Sequence, residues 1–166
     1  MRSVTRIALL SLFAALPAAA QIDTARLDMR PLIQLHAEGA DFTGKSFQTD
    51  VFIYQGGYTL LAYTAETGNA TRVDRAVASK SQVDALSRAL NRARVGQQRG
   101  GCGGPAPDYV ARYGLTWYGK QQVRTLSVGG NYTDCPADVR RIFDATCEFV
   151  WSVLGPSPEI CAPPNP

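Results

Sequence analysis

The 166-residue sequence lacks most of the residue patterns on which catalysis or metal binding depends. Its single histidine is His36, so a serine or cysteine triad would have only one possible base. No Gly-x-Ser-x-Gly elbow is present, and the cysteines form no Cys-x-x-Cys pair of the kind that holds zinc. Two catalytic carboxylates would leave no sequence signature, but no acidic residue stands in a context that predicts burial. The sequence therefore predicts no enzyme, no cofactor and no metal site.

Long apolar runs and a strong net charge are also missing. The apolar run Ile7–Leu16 is too short to span a bilayer, follows the basic Arg2 and Arg6, and precedes a small-x-small cleavage site. It predicts a signal peptide over residues 1–20, cleaved near Ala20, and export to the periplasm or the medium. Without the two arginines, 15 basic residues face 14 acidic ones. This balance gives no reason to expect a nucleic-acid partner.

Four cysteines are present, and an even number in an exported chain predicts two disulfides. Gly119-Lys120 is the predicted turn of a hairpin. Cys102 stands 17 residues before Gly119 and Cys135 stands 16 after it, so the hairpin arms should bring these two together. Cys147 would then pair with Cys161. This is the favoured one of three possible connectivities.

The first half of the chain is typical of an antiparallel sheet. Apolar alternation predicts strands over residues 32–38, 47–55 and 58–64, and Gly56-Gly57 suits a two-residue turn between the last two. That turn would place one set of side chains towards the core: Val51, Ile53, Leu60 and Ala62. The other set would form a second, apolar face: Phe52, Tyr54, Leu61 and Tyr63. Residues 71–77 are expected to be irregular or strand-like.

Two helices and a second hairpin follow. Ser79 and Gln82 form a capping-box pattern before apolar residues at helical spacing, and Gly96 can end that helix. Strands are predicted over residues 108–118 and 121–128, and a second helix from Pro136 to Gly155. The order β-β-β-α-β-β-α predicts an α+β fold, with about five antiparallel strands and both helices on one face. The domain would span residues 32–155, with an N-terminal arm over 21–31 and a proline-rich tail over 156–166.

One motif matches a phosphate-binding pattern without a mismatch. The stretch Gly39-Ala-Asp-Phe-Thr-Gly-Lys-Ser46 fits G-x-x-x-x-G-K-[ST]. A working loop of that type opens a helix, whose N-terminal amides help to hold the phosphates. Here the following residues, from Phe47 to Tyr54, are rich in strand formers. We therefore predict a strand-to-strand loop, not a nucleotide site.

The order of elements resembles that of emfourin-type domains, which are small and exported. The likeness covers residues 32–154 and rests on the first strand, Phe42 and Gly44 in the loop after it, the two hairpins and the two helices. Emfourin inhibits thermolysin-like metalloproteases, so the resemblance implies a protein-binding role with a secreted hydrolase as partner. The family carries a Gly-Gly-Phe segment in the first loop, where this chain reads Glu38-Gly-Ala-Asp-Phe-Thr-Gly44.

These observations predict an exported protein-binding module. The contact would use the first loop and the second face of the first hairpin, through Phe42, Lys45, Phe52, Tyr54, Leu61 and Tyr63. The alternative is a structural or accessory protein of the cell envelope without a discrete site. The oligomeric state stays open.

Overall fold

A computed structural model describes residues 23–40, 44–65, 70–104, 111–156 and 161. In this part of the chain two helices, α1 (Lys80–Arg92) and α2 (Ala137–Leu154), accompany seven strands. The strands are β1 (Pro31–Ala40), β2 (Ser46–Tyr54), β3 (Tyr58–Ala65), β4 (Ala70–Val77), β5 (Gly101–Cys102), β6 (Ala111–Tyr118) and β7 (Val123–Gly129). The predicted signal peptide lies outside the described residues. None of the helices described is long and apolar enough to cross a membrane.

All seven described strands belong to one mixed sheet, in the order β4-β3-β2-β1-β6-β7-β5. Neighbours are antiparallel except β5 and β7, which are parallel. The α+β class is confirmed, but the predicted five-stranded antiparallel sheet is wrong in two places. Residues 70–77 form a full edge strand, although their charged sequence shows little apolar alternation. Gly101 and Cys102 add a two-residue strand at the opposite edge, which is too short to leave a pattern in the sequence.

The core lies on one side of the sheet, between the sheet and both helices. Alternate residues of the central strands point into it, and Leu35, Val51 and Leu115 are all almost fully buried. The helices meet them with an apolar stripe each, which includes Leu86 of α1 and Ile142 of α2. Burial of these side chains is the main stabilising contribution, at about 25 cal/mol per Å² of apolar surface.

Helix α1 begins at the predicted cap. The backbone N–H of Gln82 donates to the Ser79 hydroxyl, and the backbone N–H of Ser79 donates to Oε1 of Gln82 at 2.9 Å. These reciprocal bonds satisfy two donors that a helix start leaves without partners. The helix ends at Arg92, before the predicted Gly96.

The first hairpin has a different register from the one predicted. Ile53 lies opposite Thr59 and Val51 opposite Leu61, one residue away from the expected pairing. The turn takes an extra residue because the N-terminal arm holds it. The backbone N–H groups of Gln55 and Gly56 donate to the carbonyls of Arg30 and Asp28. Because side chains alternate along a strand, this shift turns Leu61 towards the core and Leu60 away from it.

The predicted disulfides are present and the predicted connectivity is confirmed. Cys102 pairs with Cys135, and Cys147 of α2 pairs with Cys161. The first bond ties the short strand β5 to the start of α2. The second holds Cys161, which is 1% exposed, against the core. Two disulfides agree with an oxidising compartment, as the export prediction requires.

Candidate functional site

The sheet face opposite the helices is the most distinctive surface of the described chain. Both helices pack on the other side, so the alternate side chains of β1 to β4, β6 and β7 that point away from the core stay half-buried or exposed. We call this surface the open face. It has a polar centre and an apolar part, and each is set by the residues that the strand register places side by side.

The polar centre is a hydrogen-bond network around Asp50 on β2. Nδ1 of His36, directly opposite on β1, lies 2.9 Å from Oδ1 of Asp50. Side-chain amides of Gln34 and Gln48 donate to the same carboxylate, at 3.4 and 3.2 Å. Tyr118 extends the network by donating to Oε1 of Gln34. The carboxylate is thus held in one position by three neighbouring side chains.

The imidazole of His36 also faces a second carboxylate. Its Nε2 lies 3.8 Å from Oε2 of Glu38, and the imidazole is 31% exposed. A histidine held by an aspartate can relay a proton, but it needs a reacting group beside it to act as a catalyst. Among the residues that the structure describes, no group of three or more histidines, cysteines and carboxylates is arranged to hold a metal ion. The network presents hydrogen-bonding groups on the open face.

The apolar part lies on β2, β3 and β4, towards the turn of the first hairpin. Phe52 lies opposite Leu60, and Tyr58 lies opposite Val77. The rings of Tyr54 and Tyr58 are 5.8 Å apart between centroids. We call this group the aromatic patch, and it consists of Phe52, Tyr54, Tyr58, Leu60, Val73 and Val77. Val73 and Val77 are 46% and 43% exposed, which is high for large apolar side chains.

The structure separates the six predicted binding residues. Phe52 and Tyr54 lie on the open face as expected. Leu61 is 1% exposed and lies in the core, and Tyr63 stacks on the ring of Phe47 on the helix side. Their predicted place on the second face is wrong because the hairpin register is shifted by one residue. Tyr58 and Leu60 take their place on the open face.

The two predicted loop residues are not part of the aromatic patch. Phe42 lies outside the described residues. Lys45 is exposed just before β2, whose first residue is Ser46, so the phosphate-type motif leads into a strand as expected. Phe52 lies seven positions after Lys45 along the strand, a distance of roughly 24 Å at about 3.4 Å per residue. A contact that used both would have to extend along the whole of β2.

Two tyrosines with raised pKa values, Tyr113 and Tyr132, lie on the helix side of the sheet, away from the open face. Burial raises the pKa of Tyr113, and Tyr132 nearby raises it further. Burial and the carboxylate of Asp144 raise the pKa of Tyr132, and burial raises the pKa of Asp144 itself. The ring of Phe143 packs against both tyrosines, 4.9 Å from each between centroids. These shifts reflect packing under α2.

A cleft of about 730 Å³ opens at the end of the sheet beside α1. Its walls include Leu32, Gln55, Ser87, Asn91 and Trp117, followed by residues 118–122. Its lining residues include Ser87, Tyr118 and Lys120 but no histidine, cysteine or carboxylate.

The sequence contained part of the signal for the open face. Alternation along residues 32–38 places Gln34 and His36 on one face, but pairing with Asp50 depends on the register with β2. The placement of Tyr58 and Leu60 on the open face depends in the same way on the length of the hairpin turn. Comparison with protein-family models and with curated proteins gave no match to this chain.

Proposed function

We propose that this chain is an exported protein-binding module that docks its partner on the aromatic patch. The observation that carries this proposal is the concentration of three aromatic rings and three aliphatic side chains on the side of the sheet away from α1 and α2. Aromatic side chains in the centre of an interface contribute much of the binding energy of many protein complexes.

The rigidity of the patch favours the same function. Its residues stand on three neighbouring strands whose pairing is regular within the patch, and the turn beside Tyr54 and Tyr58 is bonded to the N-terminal arm. A surface that is ordered before binding loses little conformational entropy when a partner docks. The partner that fits is a folded exported protein with an apolar surface. It would also carry hydrogen-bond donors for the oxygens of Asp50 and Glu38.

The emfourin-like order of elements supports a secreted hydrolase as the partner class. Inhibition would then be the consequence of docking. In this version of the proposal, the loop that precedes Lys45 contacts the hydrolase as well. The alternative is a structural or accessory envelope protein, for which no partner would depend on the patch.

The test compares variants in a capture experiment from envelope and culture extracts. Tyr54→Ala with Leu60→Ala removes two side chains of the patch. Val123→Ala is the matched control, because Val123 is 55% exposed but lies on β7, away from the patch. We expect a partner that the wild type and the control retain, and that binds the double variant at least tenfold more weakly. Circular dichroism would show that all three proteins are folded.

The inhibitor version has its own measurement. The purified protein would be titrated against a thermolysin-like metalloprotease, and the variant with Phe42 and Lys45 changed to alanine would serve as the comparison. Inhibition by the wild type that is lost in the Phe42 and Lys45 variant would support the loop contact. Equal recovery of every partner by the patch variant would instead favour the structural alternative.

A further inference from the structure

The two edges of the sheet differ in what they offer to another strand. The edge at β5 has two residues and is held by the Cys102–Cys135 disulfide. The edge at β4 has eight residues, contains no proline, and has no strand partner on its outer side in the described chain. A long edge strand is a ready template for pairing with a further strand.

The direction of the backbone groups on β4 follows from one bond. The N–H of Ala78 donates to the carbonyl of Gly57 at 2.9 Å, so it points towards β3. The ladder with β3 is regular from Val77 back to Arg72. Alternation then directs the N–H and C=O groups of Val73, Arg75 and Val77 outwards. These are the groups with which another strand would bond.

The charges on β4 select one way in which it could pair with a copy of itself. Antiparallel pairing of identical strands places a two-fold axis at one residue. An axis at Asp74 sets two aspartates opposite each other, and an axis at Arg75 sets two arginines opposite each other. An axis at Val73 instead sets Arg72 of each copy opposite Asp74 of the other. Like charges opposite each other destabilise a sheet and unlike charges stabilise it.

We propose that β4 pairs antiparallel with β4 of a second copy of this chain, with Val73 on the two-fold axis. The two Val73 residues exchange both backbone hydrogen bonds. Within one chain, Nε of Arg72 lies 2.6 Å from Oδ2 of Asp74. The second copy adds a second arginine beside each aspartate, so four charges form one alternating cluster.

This pairing also determines where the two open faces lie. The axis of an antiparallel edge-to-edge pair is perpendicular to the sheet, so both open faces are on the same side. Val73 belongs to the aromatic patch and lies at the junction. The patches of the two copies would therefore adjoin, and the proposal goes beyond the docking function because it holds with or without a partner.

Two charge-reversal variants, measured separately and then as a mixture, give the sharpest test of the β4 pairing. Arg72→Asp alone sets the new aspartate of each copy opposite Asp74 of the other. Asp74→Arg alone sets the new arginine of each copy opposite Arg72 of the other. We expect each variant to weaken its own dimer by about tenfold, because two pairs change from attraction to repulsion. An equimolar mixture of the two variants removes this repulsion from the interface. In the mixed dimer the new aspartate lies opposite the new arginine, and the native Asp74 of one copy lies opposite the native Arg72 of the other, so both pairs join unlike charges. Sedimentation velocity with one variant labelled should then show a one-to-one mixed dimer.

Val73→Pro tests the same interface through the backbone. The N–H of Val73 points away from β3, so proline there leaves the β3–β4 ladder intact and removes both bonds on the axis. We expect this variant to be folded and monomeric. Arg88→Asp, which makes the same charge change on the exposed side of α1, should leave the dimer unchanged.

Two results would overturn the proposal. One is a wild-type protein that stays monomeric at the highest concentration that can be reached. The other is a dimer that the Val73→Pro variant and the single charge variants form with the same dissociation constant as the wild type. If a charge variant does not fold, the proline variant decides between these outcomes.

Discussion

His36 and Asp50 are direct cross-strand neighbours, and Nδ1 of the imidazole lies 2.9 Å from Oδ1 of the carboxylate. Two glutamine amides donate to the same carboxylate, so one side chain satisfies three donors on a sheet face. We expect Asp50→Ala to lower the free energy of unfolding by about 1–2 kcal/mol, since partly buried bonds to a charged acceptor are lost. Urea denaturation measures this. Thr125→Ala, on the same face but exposed, should change stability by less than about 0.5 kcal/mol.

Leu60 and Leu61 are adjacent in sequence but occupy opposite sides of the sheet. Leu61→Ala should cost about 2–5 kcal/mol, because it leaves a cavity in the core. Leu60→Ala should cost less than about 1 kcal/mol, because this side chain is only partly buried on the open face. Paired urea denaturation curves compare the two. Equal losses would mean that the described hairpin register is wrong.

Gly57 is required by the turn of the first hairpin. Its φ is +87°, and an added Cβ would lie 2.5 Å from the carbonyl oxygen of Ala78. Gly57→Ala should therefore cost about 2–4 kcal/mol, from left-handed strain and a backbone clash together. Gly44 has a similar φ of +81° but nothing within 4 Å of the added atom. Gly44→Ala should cost about 1 kcal/mol, and thermal unfolding of the two variants isolates the clash.

The two disulfides should contribute similar amounts of stability. Their cysteines are 33 and 14 residues apart in sequence. Loop-closure entropy then predicts losses of about 3.7 kcal/mol for the Cys102–Cys135 bond and about 3 kcal/mol for the Cys147–Cys161 bond. Replacing each pair with serines and measuring guanidinium unfolding tests this. A loss below about 1 kcal/mol in either variant would contradict the entropic estimate.

The ion pair between Arg30 and Asp28 in the N-terminal arm should lower the midpoint of the Asp28 titration. Hydrogen bonds from Arg30 hold the pKa of Asp28 at about 2, below its usual 3.8. The pair therefore contributes stability above pH 3.8 and loses it as the pH falls through about 2. The effect on stability is small because the pair is exposed. NMR titration of the carboxyl carbon should give the low midpoint. Arg30→Gln should raise the pKa of Asp28 towards its usual value, while the bond from the backbone N–H of residue 30 is retained.

The sequence was sufficient for features set by local chemistry. The Ser79 cap, the stripe of α2 and the hairpin arms that join Cys102 to Cys135 all depend on residues close together in the chain or on simple spacing. The placement of Tyr113, Leu115 and Trp117 on one side of β6 also follows from alternation alone, and the pairing with β1 confirms it.

The features that were predicted wrongly from the sequence depend on tertiary contacts. The turn at Gln55 and Gly56 is fixed by carbonyls from the arm, and nothing in the hairpin sequence reveals this bond. One residue of shift was enough to exchange Leu60 and Leu61 between the two faces. Strand β4 carries charge because it lies at an edge, so it lacks the apolar alternation of a central strand. The emfourin-type role stays a prediction, because it rests on the order of elements alone.

The unequal edges of the sheet determine how large an assembly can become. Pairing through β4 would occupy the long edge of both copies. The opposite edge is then left at each end, and it consists of the two-residue strand β5, tied down by the Cys102–Cys135 disulfide, and the outer side of β7 before Ser127. Growth through the β4 edge would therefore stop at two copies, because a two-fold contact is closed. The same disulfide that stabilises the fold would thus also keep β5 in place over the end of β7, and its reduction would free that part of the opposite edge.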